Sequence, residues 1–263
     1  MKTLKSTPYL MFAIILLALG SCTSIDASDG DAMNHVFNET DFNAVNLQDG
    51  GVLTFTESNT VSIIVNTTQA VIDAMDIEVD NSILTIKTKD GQRISNSDAI
   101  KITITAPNVN TFINSGSGDI NITKTNTDSM PIFNLVVSGS GAISTNRAYA
   151  NVQSMTVSGS GNITTNEVLA ENCQATISGS GSINCNSGTA TKSIITISGS
   201  GSYEGADMLS NNVTTKISGS GTAKVNAKGR LNVAISGSGD VTYKGSPKVE
   251  MSASGSGRLI DGN

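Results

Sequence analysis

The chain has 263 residues, of which 38% are hydrophobic and 4% aromatic, with 26 glycines and no tryptophan. Its formal net charge of −6 disfavours nucleic-acid binding, because phosphate contacts need clustered lysine and arginine. The single histidine, His35, excludes a histidine-rich metal site, and a Ser-His-Asp triad would have to use His35 itself.

An export signal is predicted at residues 1–21. Lys2 and Lys5 precede an apolar run at residues 10–19, which is shorter than the ~20 residues that span a bilayer and typical of a signal-peptide core. The run leads into Leu-Gly-Ser-Cys at residues 19–22, which resembles a bacterial lipobox. In this interpretation Cys22 is the lipidation site and the first residue of the mature chain. The alternative is an ordinary secretory signal followed by an unrelated cysteine.

Residues 22–35 are polar and include Asp26, Asp29 and Asp31. This composition predicts a flexible tether between the lipid and the folded domain. Acidic residues soon after a lipidated cysteine are similar to the surface-export signals of Bacteroidetes lipoproteins. The sequence therefore favours an outer-membrane lipoprotein of the cell envelope at the outer face of the cell, and it leaves the periplasmic face open.

Residues 36–113 have the pattern of β-structure without the repeat that follows. The pattern predicts strands at residues 51–57, 60–66, 77–79, 82–87 and 100–105 and a helical turn at residues 71–75. Asp90 and Gly91 form a turn signal. We expect this N-terminal β region to be either the opening part of the repeat structure or a small β module that caps it.

A Ser-Gly-Ser-Gly tetrad recurs eight times within residues 114–263, at intervals of 18 to 23 residues. Apolar residues alternate on both sides of each tetrad, as in Leu135, Val137 and Ile143, which indicates strands and not a flexible linker. A period near 20 is too short for a pair of helices. The sequence therefore predicts an all-β fold, a parallel β-helix (β-solenoid) with coils stacked ~4.8 Å apart, and we expect right-handed winding.

The same alternation assigns the tetrad side chains to two faces. Both glycines of each tetrad are expected to face inward, where a missing side chain lets the backbone bend or approach an opposing wall: Gly139, Gly141, Gly159, Gly161, Gly179, Gly181, Gly199 and Gly201. Both serines are expected to face outward as a candidate binding face: Ser138, Ser140, Ser158, Ser160, Ser178, Ser180, Ser198 and Ser200. The alternative is that these serines are merely small, soluble residues beside a bend.

Further columns follow the repeat. Asn146, Asn166 and Asn186 lie five residues after successive tetrads, and asparagine suits corners and stacked amide ladders. The absence of tryptophan and the recurrence of valine and isoleucine predict a narrow interior without room for large rings.

Few other residues suggest chemistry. Cys173 and Cys185 are either a disulfide, which an oxidising compartment permits, or two small buried residues. Asp128-Ser129-Met130 resembles the Bacteroidetes O-glycosylation acceptor, so Ser129 is a candidate modification site. Neither a cofactor nor a metal site is expected, since no metal-ligand spacing occurs.

Several segments carry a family resemblance. Residues 42–45, 80–86 and 102–109, followed by Ser115-Gly116-Ser117-Gly118-Asp119-Ile120, resemble the putative auto-transporter adhesin, head GIN domain family. The resemblance covers residues 38–263, and its most specific mark is the recurring tetrad. It implies an exported β-helical protein of a kind common in Bacteroidetes, with an adhesin function and no catalytic residues to transfer. Asn114 departs from the pattern, because an apolar or small residue precedes the other tetrads.

Three functions remain open at this point. The first is a non-catalytic adhesin or binding module, held to a membrane by its lipid anchor, that presents a solenoid face to a glycan or protein ligand. The second is a structural role, in which solenoid ends join copies into a homo-oligomer. The third is a polysaccharide-active enzyme, which needs carboxylates about 5–9.5 Å apart. Its candidates are Glu204 with Asp207 and Glu167 with Glu171, and solvated surface charges are the alternative.

Overall fold

The computed structural model describes residues 24–125 and 130–263. They form β1 (Ile25–Asp26), β2 (Met33–Phe37), β3 (Ala44–Leu47), β4 (Val52–Glu57), β5 (Ser62–Thr67), α1 (Gln69–Ala74), β6 (Met75–Asp80), β7 (Ile83–Thr88), β8 (Ile94–Ser95), a 3₁₀ turn (Ser97–Ala99), β9 (Lys101–Ala106), β10 (Thr111–Asn114), β11 (Asp119–Lys124), β12 (Met130–Val137), β13 (Ala142–Val157), β14 (Asn162–Gly179), β15 (Ser182–Cys185), β16 (Gly188–Gly199), β17 (Ser202–Gly219), β18 (Thr222–Gly237), β19 (Asp240–Lys244), β20 (Lys248–Gly255) and β21 (Arg258–Asp261). Cys22 and Ser129, with the export signal, lie outside the described residues.

The molecule is a β-solenoid of about seven turns, with 69% strand and 4% helix. Successive coils pair in parallel and in register, so that Val157 lies opposite Ile177, and Ile177 opposite Ile197. The predicted β-solenoid is therefore confirmed. The hand of the winding stays a prediction.

Each complete coil has three straight segments. In β13 they are residues 142–145, 147–150 and 152–157, and the register with β14 skips Asn146 and Asn151 between them. The tetrad makes the third corner. At the Asn146 corner the amide of Asn166 donates to Asn146 Oδ1 at 3.1 Å, and the amide of Asn186 donates to Asn166 Oδ1 at 2.9 Å. The expected asparagine ladder is thus present.

The core runs through the middle of the coils. Alternate residues point inward and are fully buried, as Ile143, Ile163 and Ile183 show. Among the described residues, four rings are also fully buried: Phe55, Phe112, Phe133 and Tyr203. The expectation of an interior too narrow for rings is therefore wrong. The phenylalanines fit because they stack edge-to-face in successive coils, with ring centroids 4.9 Å and 6.0 Å apart, an arrangement that aromatic pairs favour.

The N-terminal β region supplies both the first coil and a cap. β3 and β4 pair with β10 and β11 as solenoid strands, and Gly50 and Gly51 lie between them at tetrad positions. On the other side of the first coil, β3 pairs with β7 and β4 with β9. These two strands belong to the cap, in which β5 pairs antiparallel with both β2 and β9, and β6 pairs antiparallel with β7. Helix α1 buries Val71 and Ala74. All five predicted strands and the helical turn lie within two residues of observed elements.

The described part of the predicted tether is folded. The Ile25 N–H donates to the Arg93 carbonyl at 2.8 Å, and Ala27, 4% exposed, donates to the Ser95 carbonyl at 3.0 Å. β2 pairs along its whole length with β5. The prediction of a flexible segment is therefore wrong for residues 24–35, because Ile25 and Ala27 bury apolar side chains against the cap. Among the described residues, no helix has the length and apolar character needed to cross a membrane.

The last coil has no cap among the described residues. β20 continues the ladder on β18, but every residue in it is exposed. Val249 and Met251 continue the inward columns of Leu231 and Val233, yet they are 37% and 43% exposed. The two ends of the described solenoid therefore differ, one being capped and the other open.

Candidate functional site

The tetrads stack into one corner of the solenoid, and their two glycines have different roles. The second glycine is buried, and a Cβ on Gly201 would lie 2.5 Å from Ile177 Cγ2 in the core. The first is half-buried and faces the preceding coil, since a Cβ on Gly199 would lie 2.5 Å from the Gly179 carbonyl oxygen. The Ser200 N–H donates to that same oxygen at 3.0 Å.

Of the tetrad glycines expected to face inward, the structure buries the second ones. They are Gly141, Gly161, Gly181 and Gly201, all buried. The expectation is wrong for the first glycines, Gly139, Gly159, Gly179 and Gly199. Each of them is half-buried against the preceding coil, and at Gly199 φ is +128°, a conformation that glycine adopts without steric cost.

Both serine columns are exposed to solvent. This holds for Ser138, Ser140, Ser158, Ser160, Ser178, Ser180, Ser198 and Ser200. We call these two columns, with their continuation to Ser254, the serine edge. Coil stacking repeats each hydroxyl at ~4.8 Å, and each hydroxyl can donate and accept hydrogen bonds. The edge is thus a regular, uncharged, polar ridge on a fixed backbone.

A shallow groove of about 460 Å³ follows the serine edge through the later coils. Its lining includes Thr196, Ser198, Lys216, Ser218 and Ser236. Thr156, Thr176 and Thr196 each lie two residues before a tetrad, and Lys216 takes this position in the next coil. Because it interrupts this threonine column, sequence reasoning missed it. Its register opposite Thr196 is the signal that would have found it. The groove brings one cation beside the serine hydroxyls.

The carboxylates considered for catalysis are half-buried (Glu167 and Glu204) or exposed (Asp207 and Glu171), and most are ion-paired. Ion pairs join Glu167 to Arg147 at 3.3 Å, Glu204 to Lys224 at 3.3 Å and Asp207 to Lys244 at 3.1 Å. Glu171 is exposed at a corner. In the described part of the chain, no three His, Cys, Asp or Glu side chains are grouped to hold a metal. These contacts fit solvated surface charges.

Cys173 and Cys185 are free cysteines in the core, each 1% exposed. Their side chains contact each other, and the hydrogen bond with Cys185, together with burial, raises the pKa of Cys173. The structure thus has them as two small buried residues and not as a disulfide.

A comparison with protein families identifies the family to which this architecture belongs. The family model described as "Putative auto-transporter adhesin, head GIN domain" matches residues 41–247. The chain belongs to this family. The resemblance identified from the sequence is confirmed, and the matched region runs from β3 through the rest of the cap and the tetrad coils as far as β19.

Solved structures share the whole fold. A putative adhesin from Parabacteroides merdae ATCC 43184 is 20% identical with a TM-score of 0.83, covering 90% of this chain and 99% of its own. A putative adhesin from Parabacteroides distasonis ATCC 8503 is 22% identical with a TM-score of 0.79 and the same coverage. A putative lipid binding protein from that strain is 21% identical with a TM-score of 0.83, covering 91% and 100%. No curated protein matches the chain.

Proposed function

We propose that this head GIN domain protein is a non-catalytic lipoprotein of the cell envelope whose serine edge binds a glycan or protein ligand. The observation that carries the proposal is the edge itself, a continuous series of exposed hydroxyls. Hydrogen bonds from tetrad N–H groups to glycine carbonyls of the preceding coil hold its backbone in place. Repeat solenoids use such extended surfaces for binding. Membership of a putative adhesin family and similarity to solved structures of putative adhesins support a binding role.

Anchoring through Cys22 gives the domain an orientation. Two residues, Thr23 and Ser24, separate Cys22 from β1, which is paired with the cap at β8. Burial of acyl methylenes contributes about 0.8 kcal/mol each, so two or more chains on Cys22 hold the protein firmly to an outer-membrane leaflet. The cap then lies beside the lipid headgroups. The later coils, with the groove at Ser198, Ser218 and Ser236, stand away from them.

Protease shaving of intact cells tests location and binding together. We expect protease to remove the domain from intact cells, and the released domain to bind members of a glycan and matrix-protein array. A Cys22→Ala variant is the matched control, because it should no longer be found in the membrane fraction although its fold stays intact. Full protection from protease contradicts an outer-face location. Absence of binding across the array contradicts the adhesin function.

The open last coil favours a second candidate function, assembly of two copies. Val249 and Met251 occupy inward positions but are exposed, and β20 and β21 present unpaired strand edges, which favour pairing with another chain. Static light scattering should then show a mass that rises with concentration. The variant Met251→Lys should remain monomeric. A concentration-independent monomer in both proteins contradicts this function.

A further inference from the structure

A cleft of about 310 Å³ lies where the cap meets the first two coils. Its lining comes from residues 47–50 of the first coil, from Met75 and residues 86–88 of the cap, and from the segment around Gln92, Arg93 and Ile94. Gly116 and Ser117 of the first tetrad complete it. The cleft thus lies at the cap end of the serine edge, and its volume is at the lower limit of small-ligand sites.

The wall of the cleft that carries Arg93 is held in place by the N-terminal strand. The Ile25 N–H donates to the Arg93 carbonyl at 2.8 Å. Three residues further on, the Asn96 amide donates to both carboxylate oxygens of Asp26 at 3.0 Å. Close packing fixes the opposite wall, because a Cβ on Gly50 would lie 1.9 Å from Ser97 Oγ. The cleft is therefore preformed.

The charges in the cleft leave one cation uncompensated. Lys87 is engaged by Asp76 at 3.3 Å and by Glu78 at 2.8 Å. The Asp49 carboxylate accepts a hydrogen bond from the Thr88 N–H. Arg93 is exposed and has no ion-pair partner among the described residues. A ligand in the cleft would therefore meet a guanidinium that is free to bind a carboxylate.

The remaining lining is mixed in character. Side-chain amides and hydroxyls come from Gln48, Gln92, Ser97 and Ser117, and aliphatic groups come from residues such as Ile94. An acyl chain would leave the polar groups without partners, which costs free energy on burial. A ligand with several phosphates would bring more negative charge than one free cation beside the Asp49 carboxylate can balance, whereas a single carboxylate matches the single free guanidinium. A ring with hydroxyls, aliphatic C–H groups and one carboxylate matches all three kinds of group.

We propose that this cleft binds an acidic sugar, a uronic acid at the end of a glycan. Arg93 takes the carboxylate with two parallel hydrogen bonds, and the amides and hydroxyls of the walls bind the ring hydroxyls. The cleft volume of about 310 Å³ is at the small end of ligand sites, which suits a single sugar ring. This inference rests on the proposed glycan-binding function and assigns it a ligand class and a second site.

Saturation-transfer NMR on the purified full chain tests the site with two matched probes, D-glucuronate and D-glucose. We expect saturable glucuronate binding with a dissociation constant of about 1 mM, since one ring offers few atoms for contact. Glucose lacks the carboxylate and should bind at least about tenfold more weakly, as the loss of a charge-assisted hydrogen bond predicts. Arg93→Gln should weaken glucuronate binding by a similar factor.

Two further variants separate a local effect from unfolding. Ser117→Phe fills the cleft without changing charge and should also abolish binding, whereas Lys192→Gln removes an exposed cation elsewhere and should change nothing. All variants should melt within a few degrees of the parent. Glucuronate binding that is absent, that survives Arg93→Gln, or that glucose equals overturns the proposal. An array without binding, combined with Arg93-dependent glucuronate binding, overturns the adhesin function and leaves the cleft site standing.

Discussion

The Tyr203 ring occupies the space beside Gly205, where a Cβ would lie 2.6 Å from both the ring Cε1 and the hydroxyl oxygen of the tyrosine. Tyr203 is 1% exposed and lies in a column between Ile183 and Ala223. Its small neighbour Ala223 and the missing side chain at Gly205 together make room for the ring. A glycine outside the tetrads thus lets one coil bury an aromatic side chain.

This relationship predicts a strong coupling between the two residues. Gly205→Ala should lower the free energy of unfolding by about 1–3 kcal/mol, as overpacked cores do. In a Tyr203→Val background the same change should be neutral or stabilise by up to about 1 kcal/mol, because alanine loses less backbone entropy on folding than glycine. Urea unfolding of the four proteins measures the coupling. Equal costs in both backgrounds would show that the ring and the glycine do not share this space.

The first glycine of a tetrad should be intolerant of any side chain. Gly199→Ala combines a φ of +128° with a Cβ 2.5 Å from the Gly179 carbonyl oxygen, and we expect a loss of about 2–4 kcal/mol in the free energy of unfolding. Gly91→Ala is the control, because its φ is +80° and no atom lies within 4 Å of the added Cβ. Its cost should be about 1 kcal/mol. Denaturant titrations with similar losses for both variants would rule out the inter-coil contact as the cause.

The asparagine ladder predicts a graded loss. Asn166 donates to Asn146 and accepts from Asn186, whereas Asn186 makes the single amide contact to Asn166. Asn166→Ala should therefore cost about 1 kcal/mol and Asn186→Ala about half as much, since a net hydrogen bond is worth about 0.5–1.5 kcal/mol. Thermal unfolding of the two variants measures which of them loses more stability. A larger loss at Asn186 than at Asn166 contradicts the ladder.

The attachment of the N-terminal strand should depend on pH. Hydrogen bonds from the Ser28 hydroxyl and N–H and from Asn96 lower the pKa of Asp26 below its ordinary value of 3.8. A carboxyl whose folded pKa is depressed contributes stability above its unfolded pKa, and that stability is lost as the pH falls through the folded pKa. Acid should therefore release β1 from β8.

The Asp26→Asn variant isolates this effect. Its N-terminal segment should be cleaved by protease at pH 7 faster than that of the parent, and its melting temperature should change less between pH 5 and pH 2, a range chosen around the usual carboxyl pKa of about 4. Asp29→Asn, at an exposed neighbouring position, serves as the control. Identical pH profiles for the parent and Asp26→Asn contradict a role for this carboxylate.

Much of the fold could be predicted because two features of the sequence mark the repeat. Period-2 alternation around Val157, Ile177 and Ile197 indicates strands, and the constant spacing of the tetrads aligns these strands in neighbouring coils. Both signals are local or periodic, so they can be recognised in the sequence without knowledge of distant contacts. The exposed serines follow from the same alternation.

The errors arise where a residue's environment depends on distant or irregular contacts. The first glycines of the tetrads lie half-buried against a carbonyl of the preceding coil, a contact between coils that alternation within one strand does not reveal. Tyr203 is buried because Gly205 makes room for it. The Ile25 N–H donates to the Arg93 carbonyl across nearly seventy residues, through a strand of two residues that is too short to show a pattern. The cleft beside Arg93 likewise exists because five separate segments of the chain meet there, and no sequence motif marks it.

The claim that the serine edge is the binding surface is tested most directly by attachment of cells that carry the triple variant Ser158→Gln, Ser178→Gln and Ser198→Gln. These positions are exposed, so the fold should tolerate the longer amides. The matched control is Asn151→Gln, Glu171→Gln and Thr191→Gln, three exposed residues at another corner of the same coils. We predict that the serine variant loses attachment to the ligand found on the array while its melting temperature and surface level equal those of the control. Unchanged attachment of the serine variant would contradict the account.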